Sequence, residues 1–230
     1  VNLGADEAKH LREVLRLRVG DDAYVFDGEG HEFFCNVIES RRESAALKVV
    51  EEVKPARPES PFHLTLAVAL LKGEKFDLVV QKATELGVVQ VLPMKTTHAD
   101  IRLRDDADTS KRVARWQRIA LEAAKQSGRA VVPTVSSPGD FATLIKDRPA
   151  GFLFSERDGD SLLEAKEKVG AKLSELTVLV GSEGGWSNQE LDIARDAGWA
   201  IITLGGRTLR AETAAIAVAT LLEHLFGDLK

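Results

Sequence analysis

One cysteine, one methionine and one tyrosine stand in 230 residues. The lone Cys35 excludes an internal disulfide and fits a reducing compartment. No apolar run approaches the roughly 20 residues that cross a bilayer, and the first residues lack a signal-peptide pattern, so a cytoplasmic location is expected. The only methionine is Met94, so the natural start is expected upstream. Neither GxxxxGKS/T nor GxGxxG occurs, which excludes the two common phosphate-cradling loops. Cations do not predominate either. A net charge of -5 argues against a protein that coats nucleic acid, because nonspecific affinity grows with the number of phosphate contacts. Any RNA site must be local. His31 and Cys35 in HEFFC superficially resemble a HExxH zinc motif, but on a predicted strand they stand about 13 Å apart, too far to share an ion. His63, His98 and His224 show no ligand spacing, and no metal is expected.

What is present is ordinary for a globular protein: 44% hydrophobic and 29% charged residues, over a length that favours two domains. Residues 54–61 carry Pro55, Pro58 and Pro61, which block helix and sheet continuation and mark a boundary. Before it, Lys9, Arg12 and Arg16 fall at helical spacing on one face, opposite Leu11, Val14 and Leu15. Residues 23–26, 32–39 and 44–50 read as strands of a small barrel-like module, the first two joined by Asp27-Gly28-Glu29-Gly30. After the boundary, strands alternate with helices, the mark of a parallel α/β sheet. Strands are expected over 62–71, 88–93 and 151–154, and helices over 75–86, 109–128, 141–145 and 161–169. Residues 102–129 hold eight basic and four acidic side chains. Such a stretch is explained by a solvated helix face and is compatible with RNA contact.

The chemistry concentrates in residues 178–214. An apolar strand over 177–180 stops at Gly181, and Gly-Ser-Glu-Gly-Gly leads into Ser187 and Glu190, spaced as a capping box. The pattern repeats with a strand over 200–204, Gly205-Gly206, and an apolar helix from Ala211 to Phe226. Two such loops at neighbouring strand ends form a ligand crevice. Arg210 and Glu212 supply opposite charges at its mouth, and Ser155-Glu156, at the end of another strand, should join it. Lys72 and Lys75 also lie at a strand's carboxyl end, where they can meet RNA phosphate or form an ordinary charged turn.

GSEGG followed by LGGRTLRAETA resembles the cofactor loops of the SPOUT methyltransferases, in particular the RsmE-type family that methylates uridine N3 in bacterial 16S ribosomal RNA. HLREVLRLRVGD, KGEKFDLVVQKATELGV and RWQRIALEAAKQSGR extend the likeness over essentially the whole chain. Ser182 stands where the family usually has proline. The resemblance implies an α/β SPOUT-type parallel sheet with a C-terminal trefoil knot over residues 62–230. It also implies a PUA-like RNA-binding β-barrel over residues 1–56, whose first strand is expected to be missing. It implies a homodimer, S-adenosylmethionine as cofactor, and 16S rRNA in the small ribosomal subunit as partner. Carried over position by position, the cofactor residues are Phe154, Val180, Gly181, Glu183, Gly184, Gly185, Leu204, Gly205, Leu209, Arg210, Glu212, Thr213 and Ala214. The RNA-binding residues are Lys9, His10, Arg12, Arg16, Lys72, Lys75 and Arg207.

A sulfonium cofactor without phosphate needs no P-loop lysine, and methyl transfer is an in-line displacement served by alignment. Arg210 is expected to stabilise an anionic uracil ring, with Glu183 or Glu212 as proton acceptor. Two alternatives differ in class. One is a noncatalytic RNA-binding or ribosome-assembly module. The other is a serine hydrolase using Ser182, Asp192 or Asp196 and His224, which fails because Val180 occupies the glycine position of a nucleophile elbow.

Overall fold

The computed structural model describes residues 1–101, 103, 105–170 and 173–230. Arg102 and Arg104, part of the cationic stretch, lie outside them. Two units are distinguished: residues 1–59 with 128–131, and residues 60–127 with 132–230.

The first unit is an antiparallel sheet in the order β1-β4-β3-β2, built from β1 (Asn2–Leu3), β2 (Asp22–Phe26), β3 (Glu32–Ser40) and β4 (Ala45–Val53). Alternation turns Ala23, Cys35, Val37, Ala45 and Leu47 inward, where Ala8 and Leu11 cover them. Burial pushes the Cys35 thiol above its ordinary pKa. The two-residue β1 carries no periodicity, so the sequence does not reveal it.

The expected basic helix is corrected. Helix α1 covers Ala5–Lys9 and passes into a wider π turn over His10–Val14, where the Leu15 N–H donates to the His10 carbonyl at 3.1 Å. The extra residue per turn rotates the residues beyond it, and Arg16 leaves the helix with φ 58. Lys9, Arg12 and Arg16 therefore share no helical stripe. Val14 and Leu15 are 65% and 54% exposed instead of packed. The Arg12 guanidinium donates to the Arg41 and Arg42 carbonyls at 2.5 and 3.1 Å, which engages it within its own unit.

In the second unit the order is β5 (His63–Ala69), α2 (Lys75–Glu85), β6 (Gln90–Lys95), α3 (Asp106–Ser127), β7 (Thr134–Val135), β8 (Gly139–Asp140) and α4 (Phe141–Asp147). It continues with β9 (Phe152–Phe154), α5 (Leu162–Val169), β10 (Glu175–Val180), α6 (Asn188–Asp196), β11 (Ala200–Ile202) and α7 (Ala211–Phe226). The strands pair in parallel in the order β11-β9-β10-β5-β6-β7, with β8 also on β6. After His63, every residue of β5 is buried, because both faces of the sheet are covered. Phe76, Trp116, Ala165 and Val218 belong to the core on one face, and Phe141, Leu191 and Ala194 to the core on the other. Each fully buried Leu or Val adds about 1.5–3 kcal/mol. Capping boxes begin α5 at Ser161 with Glu164 and α6 at Ser187 with Glu190.

One expectation of strand order is overturned. β10 and β11 are not neighbours, because β9 lies between them. Phe152, Leu153 and Phe154 are all buried and take the interior slot, while β11 closes the edge.

Candidate functional site

Val180 pairs with Phe154, Phe154 with Ile202, and on the other side Val180 with Val68. Four loops therefore leave one edge of the sheet side by side. The loops after β9, β10 and β11, with the start of α2, enclose a cavity of about 680 Å³. This lies in the range of about 300–1,000 Å³ typical of ligand sites, at the carboxyl ends of parallel strands.

The loop after β10 is held by its own glycines and by Trp186. The Gly185 N–H donates to the Ser182 carbonyl at 3.0 Å, closing a tight turn with Gly185 at φ 66. A β-carbon on Gly181 would lie 3.2 Å from the Trp186 ring, and one on Gly184 only 2.7 Å from the His98 β-carbon. In its Nδ1–H tautomer, His98 donates to the Gly184 carbonyl at 3.0 Å. The Trp186 Nε1–H reaches the Phe154 carbonyl at 2.8 Å. Glu190, 5% exposed, completes the frame by accepting from the Thr97 N–H at 2.8 Å while it caps α6.

The loop after β11 uses glycine differently. Gly205 and Gly206 hold φ 73 and 72, and apart from their chain neighbours no atom of the described residues lies within 4 Å of where their β-carbons would stand. Here the backbone conformation, not crowding, requires glycine. Arg210 occupies the N-cap position of α7, with an exposed side chain at the rim beside Arg207 and Thr208. Phe154, Val180, Leu204, Leu209, Ala214 and Val218 supply apolar walls.

One cation sits among the acids. Lys75 Nζ donates to Glu183 Oε1 at 2.7 Å and lies 3.9 Å from Glu212 Oε2. Burial opposes ionisation of Glu183, but the Lys75 hydrogen bond, its own N–H and the nearby ammonium charges outweigh it, leaving the carboxyl below the ordinary range. A carboxylate made more acidic is a weaker proton acceptor, which disfavours Glu183 in that role. Glu212 Oε2 is buried and accepts no hydrogen bond among the described residues.

Of the expected cofactor residues, all but Glu212 and Thr213 line the cavity. The lining also holds Ser155, Glu156, Trp186, Thr203, Thr208 and Val218, none of them among the cofactor residues expected from the sequence. Of the expected RNA residues, Lys75 and Arg207 line the cavity, and Lys72 pairs with Asp100 at 2.5 Å, which raises the lysine's pKa and lowers the carboxyl's. Lys9, His10, Arg12 and Arg16 belong to the other unit. Among the described residues no hydrolase triad forms with either Asp192 or Asp196, since the Ser182 hydroxyl has no hydrogen-bond partner and His224 Nδ1 lies 2.7 Å from the Leu229 carbonyl. The buried Ser182 and Thr203 hydroxyls have no hydrogen-bond partner among the described residues. Apolar walls with a few unpaired polar atoms fit an adenosyl ligand. Among the described residues no cluster of metal-ligating side chains occurs, and no helix is long and apolar enough to cross a membrane.

A model of the RNA methyltransferase domain matches residues 58–223, and one of the RNA methyltransferase PUA domain matches residues 3–50. Ribosomal RNA small subunit methyltransferase E of Rickettsia conorii is 30% identical over 94% of this chain and 86% of its own length. The Synechocystis protein of that name is 32% identical over 93% of this chain and 69% of its own. The crystal structure of ribosomal RNA small subunit methyltransferase E from Neisseria gonorrhoeae bound to S-adenosyl methionine matches with a TM-score of 0.88 at 31% identity, covering 100% of this chain and 93% of that one.

Proposed function

The chain belongs to the RNA methyltransferase family whose domain model covers residues 58–223, and on that premise we propose that it is an S-adenosylmethionine-dependent methyltransferase of 16S rRNA. The carrying observation is the cavity where the glycine loops after β10 and β11 meet at one sheet edge, with no phosphate-binding motif in the chain. When bound, the cofactor supplies an electrophilic methyl group on sulfur. The backbone of residues 181–185 and 204–206 and the walls formed by Phe154, Val180 and Leu209 hold the adenosyl moiety. Trp186 and Glu190 keep these loops in place through their bonds to the Phe154 carbonyl and the Thr97 N–H, so alignment is set before the acceptor arrives.

The acceptor is uridine N3, a nitrogen that must lose its proton. Arg210, exposed at the rim, stabilises the anionic ring, and Glu212 is the less engaged acid to take the proton, because Lys75 lies 3.9 Å from it but donates to Glu183 at 2.7 Å. The PUA unit contributes to RNA binding. The protein is a cytoplasmic homodimer whose C-terminal segment forms the knot of its superfamily. The partly exposed Ile216, Ala217 and Leu221 on α7 support packing against a second copy.

Calorimetric titration with S-adenosylmethionine and S-adenosylhomocysteine, with ATP and NAD as controls, tests the cofactor. Saturable binding of the two adenosyl ligands alone is expected. Labelled methyl transfer to small subunits lacking the modification, followed by nucleoside mass spectrometry, then tests the acceptor. Folded protein that binds neither adenosyl ligand is instead a noncatalytic RNA-binding module.

A further inference from the structure

We propose that Lys75 is a counter-ion that sets how strongly the cavity prefers the cationic methyl donor over its neutral, demethylated product. This selectivity role rests on the protein's being an S-adenosylmethionine-dependent methyltransferase. Lys75 is the first residue of α2, and the pairing of β5 with β10 brings it to the loop that carries Glu183, 108 positions away in sequence. Its ammonium lies 2.7 Å from one carboxylate and 3.9 Å from a second, Glu212, whose side chain is only 13% exposed. By formal charge, two carboxylates and one ammonium leave the trio with one negative charge.

Donor and product share the adenosine and the amino-acid tail. They differ by a methyl group and by one positive charge on sulfur, so any field in the cavity acts on that difference. The trio's net negative charge favours the donor. Without the Lys75 ammonium it becomes doubly negative, and the donor gains relative to the product. Without the Glu183 charge it becomes neutral, and the preference shifts the other way. Glu156, Arg207 and Arg210 also line the cavity, but they are constant across these variants and cancel in the comparison. A lysine that merely propped the loop would weaken both ligands alike when removed.

The experiment measures Kd for S-adenosylmethionine and S-adenosylhomocysteine on the full chain as wild type, K75M, K75R and E183Q, at low and high salt. The preference for donor over product should rise about tenfold in K75M, stay within about twofold in K75R and fall about tenfold in E183Q. Tenfold corresponds to about 1.4 kcal/mol, the order of one unit charge acting within a cavity of this kind. Salt should shrink both shifts. Equal weakening of both ligands in K75M, or a shift of the same sign in K75M and E183Q, overturns the proposal. If K75M does not fold, the sign of the E183Q shift decides. Wild-type protein that binds neither ligand fails the methyltransferase reading itself, whereas binding of both with a charge-independent ratio fails this proposal alone.

Discussion

The Trp186 indole N–H donates to the Phe154 carbonyl over 2.8 Å, which ties the loop after β10 to the end of the neighbouring strand β9. Both residues line the cavity, so this bond joins two of its walls. Trp186→Phe keeps most of the buried ring but leaves the carbonyl unpaired, at a cost of about 1–3 kcal/mol. Thermal melting should show the loss, and calorimetry should show S-adenosylmethionine affinity falling several-fold. Unchanged affinity would mean that the wall does not depend on this bond.

Gly206 should be sensitive to side-chain type even though the space around it is open. At φ 72, Asn is tolerated better than Ala, and a β-branched Val is worst. Gly206→Val should weaken cofactor binding while lowering global stability by only about 1–2 kcal/mol. Equal affinities for the Asn and Val variants would refute a conformational role for this glycine.

Arg210→Ala should cut turnover about 100- to 1,000-fold with cofactor Kd changed less than about threefold, the pattern of a group that acts on the developing charge. Single-turnover rates and calorimetry separate the two quantities. A parallel loss of affinity would assign the residue to cofactor binding.

Much of this site is legible in the sequence, because glycine and capping signals are local. Ser187 with Glu190, and the runs ending at Val180 and Phe154, announce strand, loop and helix without tertiary information. What is not legible depends on distant pairing. Nothing near Lys75 points to Glu183, and nothing in β10 or β11 says that β9 separates them. The N-terminal helix misleads for another reason. Its leucine and valine spacing suits 3.6 residues per turn, but the bond from Leu15 to His10 spans five residues, which no side-chain pattern records.

Glu190 should matter more than its capping partner. Ser187→Ala removes a cap worth about 1 kcal/mol, but Glu190→Ala also strands the Thr97 N–H and hollows a buried position. Denaturant unfolding should rank Glu190→Ala at least about twice as costly. Equal costs would show that the Thr97 contact adds nothing.

In the first unit, His31 Nδ1 lies 2.7 Å from Asp27 Oδ2. The hydrogen bond to the carboxylate, together with its charge, raises the His31 pKa. Asp27 is lowered, first by the Glu29 N–H and then by His31. The histidine's contribution is therefore fully present below its unfolded pKa, near 6.5, and is lost as pH rises through the raised folded value. An NMR titration should place His31 above that reference in the wild type and return it there in Asp27→Asn. No difference between the two would exclude the pairing in solution.

The pairing of β5 with β10 also sets a schedule for the nascent chain. Residue 63 meets residue 175, so the strand His63–Ala69, apolar on both faces, leaves the ribosome long before the partner that covers one of its edges. At about 5–20 residues per second, roughly 110 intervening residues take about 5–20 s. Through that interval β5 has β6 on one side and an open, sticky edge on the other. Any pause in translation before the strand Glu175–Val180 has left the ribosome lengthens this exposure, whereas a later one does not, so synonymous codon choice in the middle of the gene should affect yield more than at its very end.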